Sequence, residues 1–181
     1  HYCGVGSSNV FGRLVAEQHY QYCLTAGITM SGMNAEVAPG QWEYQVGPCL
    51  GIQSGDHVWM SRYVMERVAE LKGYDISWHP KPLKGDWNGS GCHTNFSTKQ
   101  MREGDNNKTG FDFILQCIDK LSKTHSEHME VYGSGNELRM TGQHETANYN
   151  HFTYGVGDRG ASVRIGNETT KNKCGYFEDR R

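Results

Sequence analysis

The chain has 181 residues, of which 36% are hydrophobic and 21% charged, and its formal net charge is −2. So balanced a charge gives no electrostatic footprint for nucleic acid or an anionic membrane surface. No apolar run approaches the roughly 20 residues that a membrane-spanning helix needs. The six cysteines (Cys3, Cys23, Cys49, Cys92, Cys117 and Cys174) are widely spaced, with no Cys-x-x-Cys pair. That pattern reads as free thiols in a reducing, cytoplasmic setting rather than a disulfide framework or a structural zinc site.

The length suits one domain around one core. Residues 9–26 carry apolar side chains at helical spacing and end at Gly27, which predicts a helix with a C′ glycine. Residues 28–33 predict a short strand leading into NAEVAPGQWEYQVGP, residues 34–48. Within it, Ala38-Pro39-Gly40-Gln41 predicts a β-turn, because proline presets φ and glycine accepts a positive φ. If that turn joins the strands directly, Glu36 lies opposite Glu43. Two carboxylates about 5 Å apart repel by roughly 3 kcal/mol at an effective dielectric near 20. A looser loop would change the pairing. Two readings stand: both carboxylates face solvent, or a cation sits between them.

A second helix is predicted over residues 55–72, with Ser54 as its N-cap and Gly73 after its end. Residues 74–79 alternate as a strand does and are stopped by Pro-Lys-Pro. The Gly-rich stretch GDWNGSGCHTNFSTK, residues 85–99, can bring backbone amides close to an anion. Its His93 is either a hydrogen-bonded loop residue or a metal ligand. A third helix is predicted over residues 112–129, with Ile114, Leu115, Ile118 and Leu121 on its apolar face and His125 and His128 on a polar one. Residues 132–158 form a long connection, the kind that is functional or disordered. Residues 161–165 and 176–179 predict short strands, so the chain reads as α+β with a mostly antiparallel sheet flanked by helices.

Arg139, Arg159, Arg164 and Arg180 lie in or beside these late loops and strands. Each is either a solvated surface arginine or a clamp for carboxylate or phosphate. On a strand, Glu178 and Arg180 share one face; they form a plain ion pair, or a metal ligand beside an anion clamp. Glu145, in QHETAN, is a solvated loop tip unless the loop closes over a site, where it would attract a cation. No P-loop, Rossmann fingerprint, HExxH helix or G-x-S-x-G elbow is present. Oxygen-rich donors suit Mg²⁺ or Mn²⁺ better than zinc. Together with arginines and a Gly-rich loop they suggest phosphoryl chemistry on a nucleotide.

Five stretches in order, NAEVAPGQWEYQVGP, NGSGCHTNFSTK, MTGQHETAN, RGASVRI and GYFEDRR, resemble the eukaryotic-type glutamine synthetases, and the resemblance is collinear over residues 1–181. It implies a glutamine synthetase/guanidino kinase-like catalytic domain, incomplete here, with an N-terminal β-grasp domain and a C-terminal end lying outside residues 1–181. The chain starts at His1 and stops just after a strand, and is read as a piece of a longer protein. The implied activity joins ammonia to L-glutamate with ATP and Mg²⁺ or Mn²⁺, through γ-glutamyl phosphate, in a ring oligomer expected to be a decamer of two pentamers.

By the same resemblance, Glu36, Glu43, His93 and Glu178 would hold metal. Asp86, Trp87, Asn88, Arg139, Arg159 and Arg180 would bind glutamate. Glu43, Asn95, Phe96, Ser97, Arg159, Arg164 and Tyr176 would line the ATP site. Glu145, Arg159 and Arg180 would be catalytic, with Glu145 on a flap that helps form the ammonium pocket. The chain departs from the pattern at Asp86, where Asn is usual, at Arg-Ile-Gly over 164–166, where Arg-Ile-Pro is usual, and in the polar insert up to Gly175. The alternatives are a ligase of the same superfamily that joins glutamate to a polyamine or other amine, and a structural relative that has lost the chemistry.

Overall fold

A computed structural model describes residues 1–181, which divide into two compact units, His1–Ser77 and Trp78–Arg181, rather than the single-core domain that length suggests. The first unit holds two helices and a hairpin. Helix α1 (Arg13–Thr25) ends at Gly27 (φ 78), and the amides of Gly27 and Ile28 donate back to Leu24 and Cys23. This is the Schellman closure that the glycine predicted. Strands β1 (Met30–Ala35) and β2 (Trp42–Val46) form an antiparallel hairpin. Helix α2 (Gln53–Lys72) follows, closed by Gly73. Ser54 is not its N-cap: the helix starts one residue earlier, and the Ser54 hydroxyl donates to the Gly51 carbonyl. Residues 74–79 alternate but pair with no strand and stay irregular, since alternation without a neighbour makes no ladder.

Val15 of α1 packs on Met65, Val68 and Ala69 of α2, with Tyr44 and Ile76 against them. Beneath that contact His19 is buried. Its Nε2 donates to the Ser61 carbonyl at 3.0 Å and lies 3.2 Å from the Cys23 sulfur, and the Ser61 hydroxyl meets Tyr44 Oη at 3.0 Å. Burial lowers the His19 pKa and pushes the Cys23 thiol up to about 11. Both groups are therefore neutral packing elements with their polar atoms satisfied.

The second unit is built on a four-stranded sheet in the order β3 (Thr94–Phe96), β6 (Phe177–Asp179), β5 (Val163–Ile165), β4 (Tyr154–Val156). All neighbours are antiparallel except β4 and β5, which run parallel. The chain is therefore a mixture of helices and two small sheets. Val163, Ile165 and Phe177 point to one face and bury against Ile114 and Ile118 of α4 (Gly110–Lys123). The opposite face carries Arg164 and Glu178. Short helices α3 (Lys99–Glu103) and α6 (Asn167–Asn172) lie outside the predicted elements. The predicted helix over 112–129 is two helices: α4 ends at Thr124 (φ −112), and α5 (His125–Val131) restarts there. The Thr124 hydroxyl donates to the Lys120 carbonyl, a local bond that competes with helix continuation. No helix is long and apolar enough to cross a membrane.

Thr109 opens α4 with a reciprocal capping box: its hydroxyl accepts from the Asp112 amide, and Asp112 accepts from the Thr109 amide. Thr109→Ala is expected to destabilise the protein by about 1 kcal/mol, measurable by urea unfolding with an unchanged slope.

Candidate active site

The hairpin settles its own register. Asn34 lies opposite Glu43, and the Glu36 amide donates to the Gln41 carbonyl at 2.8 Å. Glu36 is therefore paired with Gln41 and not with Glu43. The β-turn forms as read, with the Gln41 amide on the Ala38 carbonyl and Gly40 at φ 72. It sits inside a four-residue loop, 37–40, which displaces the pairing by two. A shift of two keeps every side chain on its own face, so the two carboxylates become diagonal neighbours instead of direct ones. Glu36 accepts from the Asn34 side chain and the Val37 amide, while Glu43 accepts from Gln45 at 2.7 Å. Burial, then hydrogen bonding to Glu43 and its charge, raise the Glu36 pKa. The neighbouring Glu43 carboxylate thus disfavours ionisation of Glu36, an arrangement that a cation between them would relieve.

In the second unit, Asn95, Glu178 and Arg164 sit directly opposite one another across β3, β6 and β5. Glu178 is nearly buried and is the hub. Its Oε1 meets His93 Nδ1 at 3.2 Å and the Arg180 guanidinium at 3.1 Å, and its Oε2 lies 2.7 Å from Arg164 Nε. Burial alone would raise this carboxyl. The His93 hydrogen bond and the charges of Arg180, His93 and Arg164 reverse that and hold it at about 2. Despite the Arg164 contact, Oε2 makes no well-aligned hydrogen bond, which leaves a buried lone pair available. Phe96 shares β3 but is half exposed beside Phe177, Ser97 donates to the Gly175 carbonyl at 2.7 Å, and Tyr176 is exposed just before β6.

A cleft of about 410 Å³ lies in the same unit, lined by Lys81, Asp86, Trp87, Arg139, Gln143 and His144 among others. Arg139 is buried, and its guanidinium donates to the Asn136 side-chain oxygen at 2.8 Å and the Arg180 carbonyl at 3.0 Å. Burial and the charge of Arg180 lower its pKa. A buried cation hydrogen-bonded to neutral oxygens, on the wall of a cleft, is suited to an incoming carboxylate. Asn88 is half-buried and does not line this cleft. Lys81, whose ammonium donates to the Trp87 carbonyl, was not singled out from sequence, nor were Thr141 and Gln143, and His144 was placed in the long loop without a role. Lys81 sits between two prolines next to the Gly-rich loop, the one local signal that pointed to it.

Residues 143–146 form a reverse turn closed by the Thr146 amide on the Gln143 carbonyl, with its central residues His144 (φ 53) and Glu145 (φ 60) both left-handed. Side chains other than glycine disfavour that region by about 1 kcal/mol each. Three contacts hold the turn. Asp86 Oδ1 lies 2.9 Å from His144 Nε2, Glu145 is bound by Arg159 Nη1 at 3.1 Å, and Arg180 Nη2 donates to the Glu145 carbonyl at 2.9 Å. Arg180 also donates to the Arg159 carbonyl. The structure therefore brings Glu145, Arg159, Arg180, Glu178, His93 and Arg164 into one connected network.

A family model described as "Glutamine synthetase, catalytic domain" matches residues 2–180. The chain belongs to the glutamine synthetase family. It is 59% identical to glutamine synthetase of Schizosaccharomyces pombe over 99% of this chain and 49% of that protein. It is 57% identical to glutamine synthetase of Saccharomyces cerevisiae over 100% of this chain and 48% of that protein, and 55% identical to the glutamine synthetase cytosolic isozyme of Medicago sativa over 100% and 50%. The chain thus spans about half the length of the curated relatives it matches.

Glutamine synthetase membership raises the question of metal, and the donor chemistry fits. A pair of neighbouring carboxylates is suited to a hard divalent ion, and so is a buried carboxylate oxygen without an aligned partner beside an imidazole. No three His, Cys, Asp or Glu side chains cluster in a way that could hold a metal. Within residues 1–181 each set therefore offers two protein donors.

Proposed function

We propose that the full-length protein ligates ammonia to L-glutamate using ATP, giving L-glutamine, ADP and phosphate through γ-glutamyl phosphate. The observation that carries this reading is the convergence of His93, Arg164 and Arg180 on one nearly buried carboxylate, Glu178. A cluster with that excess of cationic donors suits a migrating phosphoryl group.

In the proposed chemistry a γ-carboxylate oxygen of glutamate attacks the terminal phosphorus of ATP, and ADP leaves. Ammonia then attacks the acyl carbon, phosphate departs, and a proton is lost. Arg139 holds a substrate carboxylate in the cleft, with Asp86, Trp87 and Asn88 around it. Arg159, Arg164 and Arg180 balance the charge of the transferring group. Asn95, Phe96, Ser97 and Tyr176 line the nucleotide site. Glu145 attracts ammonium and takes its proton, and its turn limits water at the acyl phosphate. Mg²⁺ or Mn²⁺, held by Glu36 and Glu43 and by His93 and Glu178, would supply charge neutralisation at the phosphate oxygens.

The proposal extends to a cytosolic ring oligomer, the relative from Medicago sativa being named a cytosolic isozyme. The test is a comparison of amine acceptors with the full-length protein, ATP and glutamate. Ammonia is expected to support turnover at least a hundredfold better than a polyamine, a discrimination of about 3 kcal/mol; a preference for the polyamine would overturn the reading. The 181 residues alone are expected to form no γ-glutamyl hydroxamate above background.

A further inference from the structure

The turn over residues 143–146 carries two adjacent left-handed residues, neither of them glycine, so it needs outside contacts to persist. Two of its three anchors act on Glu145. The third, Asp86 to His144 at 2.9 Å, is different in kind: both residues line the cleft that also holds Trp87 and Arg139. Asp86 belongs to the Gly-rich loop and His144 to the turn, so this contact ties the turn to another segment of the cleft wall. The Asp86 side chain is 94% exposed and that of His144 31% exposed, so the pair can form and break without disturbing the packed core.

We infer that Asp86 is a positioning residue that latches the 143–146 turn to the Gly-rich loop through His144, setting how often the cleft is open to an amino-acid substrate. The latch itself is independent of the ligase reading; only its consequence for substrate entry rests on that reading. Breaking it lets the turn relax from its left-handed backbone, which loosens the neighbouring Thr141–Asn148 bridge and the Tyr149 amide bond to the Met140 carbonyl.

The test is a double-mutant cycle of Asp86→Asn and His144→Gln, read by hydrogen exchange at the Thr146 and Tyr149 amides without substrate. Each single variant is expected to exchange about fivefold faster there, as loss of an exposed charge contact implies. The double variant is expected to exchange no faster than either single one. The Val163 and Phe177 amides in the sheet are expected to be unchanged in all three. Additive effects, unchanged exchange at Thr146 and Tyr149, or equal acceleration in the sheet would each overturn the latch. Because no substrate is present, none of these outcomes depends on whether the protein makes glutamine.

Discussion

Glu178→Gln is expected to lower the unfolding free energy at pH 7 by about 3 kcal/mol and to abolish glutamine formation by the full-length protein. The substitution leaves the Arg164 and Arg180 guanidiniums facing a neutral amide, so the two cations repel one another without compensation, and His93 loses its charged partner. The sign follows from the depressed carboxyl. Folded Glu178 titrates at about 2, against an ordinary value of 4.5. Its contribution is therefore fully present above pH 4.5 and is lost as pH falls towards 2. Urea unfolding across that range should show the wild type losing stability to acid, with the Gln variant lacking this component and converging on the wild type near the low end. A Gln variant as stable as wild type at pH 7 would mean that the carboxylate does not organise the two guanidiniums and His93.

Glu43→Gln should behave in the opposite way. It removes one partner of a carboxylate pair, so the metal-free protein is expected to gain about 1 kcal/mol at neutral pH, a value reduced by solvent exposure. The Glu36 pKa is raised, so the folded state holds that proton better than the unfolded state does. The resulting stability is present at low pH and is lost as pH rises through the folded-state value. Substituting Glu43 removes part of that loss, and the gain should vanish below the ordinary carboxylate range. In the full-length protein the same change is expected to raise the Mn²⁺ concentration for half-maximal turnover at least tenfold and to cut turnover about a hundredfold, since a carboxylate ligand is lost. Full activity at limiting metal would rule out a metal role for the hairpin.

These two glutamates show what could be read from sequence. The turn type followed from Pro39 and Gly40, and the shared face of Glu36 and Glu43 followed from period two. The register did not follow, because loop length is decided by how the strands twist into the turn. A four-residue loop shifts pairing by two and spares the face. Two strands of the sheet that carries Glu178 were legible for the same reason: alternation put Glu178 and Arg180 on one face, whereas β4 lay inside the stretch read as a long connection. Strand β3 was hidden in a Gly-rich polar stretch, since a three-residue strand needs only a neighbour and not a pattern. The break at Thr124 was equally hidden, because the apolar spacing runs through it. Among cleft residues, Arg139 stood out by type and Trp87 only through the family resemblance, whereas Lys81 and His144 enter the site through backbone geometry that composition does not encode. The strained turn at His144 and Glu145 is the clearest case: their residue types argue against a positive φ, and contacts from Asp86, Arg159 and Arg180 impose it.

The central claim is that this cluster of arginines serves phosphoryl transfer to a glutamate carboxylate. The most direct measurement uses L-glutamate carrying ¹⁸O in its γ-carboxylate, with ATP, ammonia and the full-length protein, followed by mass analysis of the phosphate released. Transfer of one labelled oxygen into each phosphate is the expected result, because the acyl phosphate breaks at its carbon–oxygen bond. Phosphate that emerges unlabelled while glutamine accumulates would contradict the account.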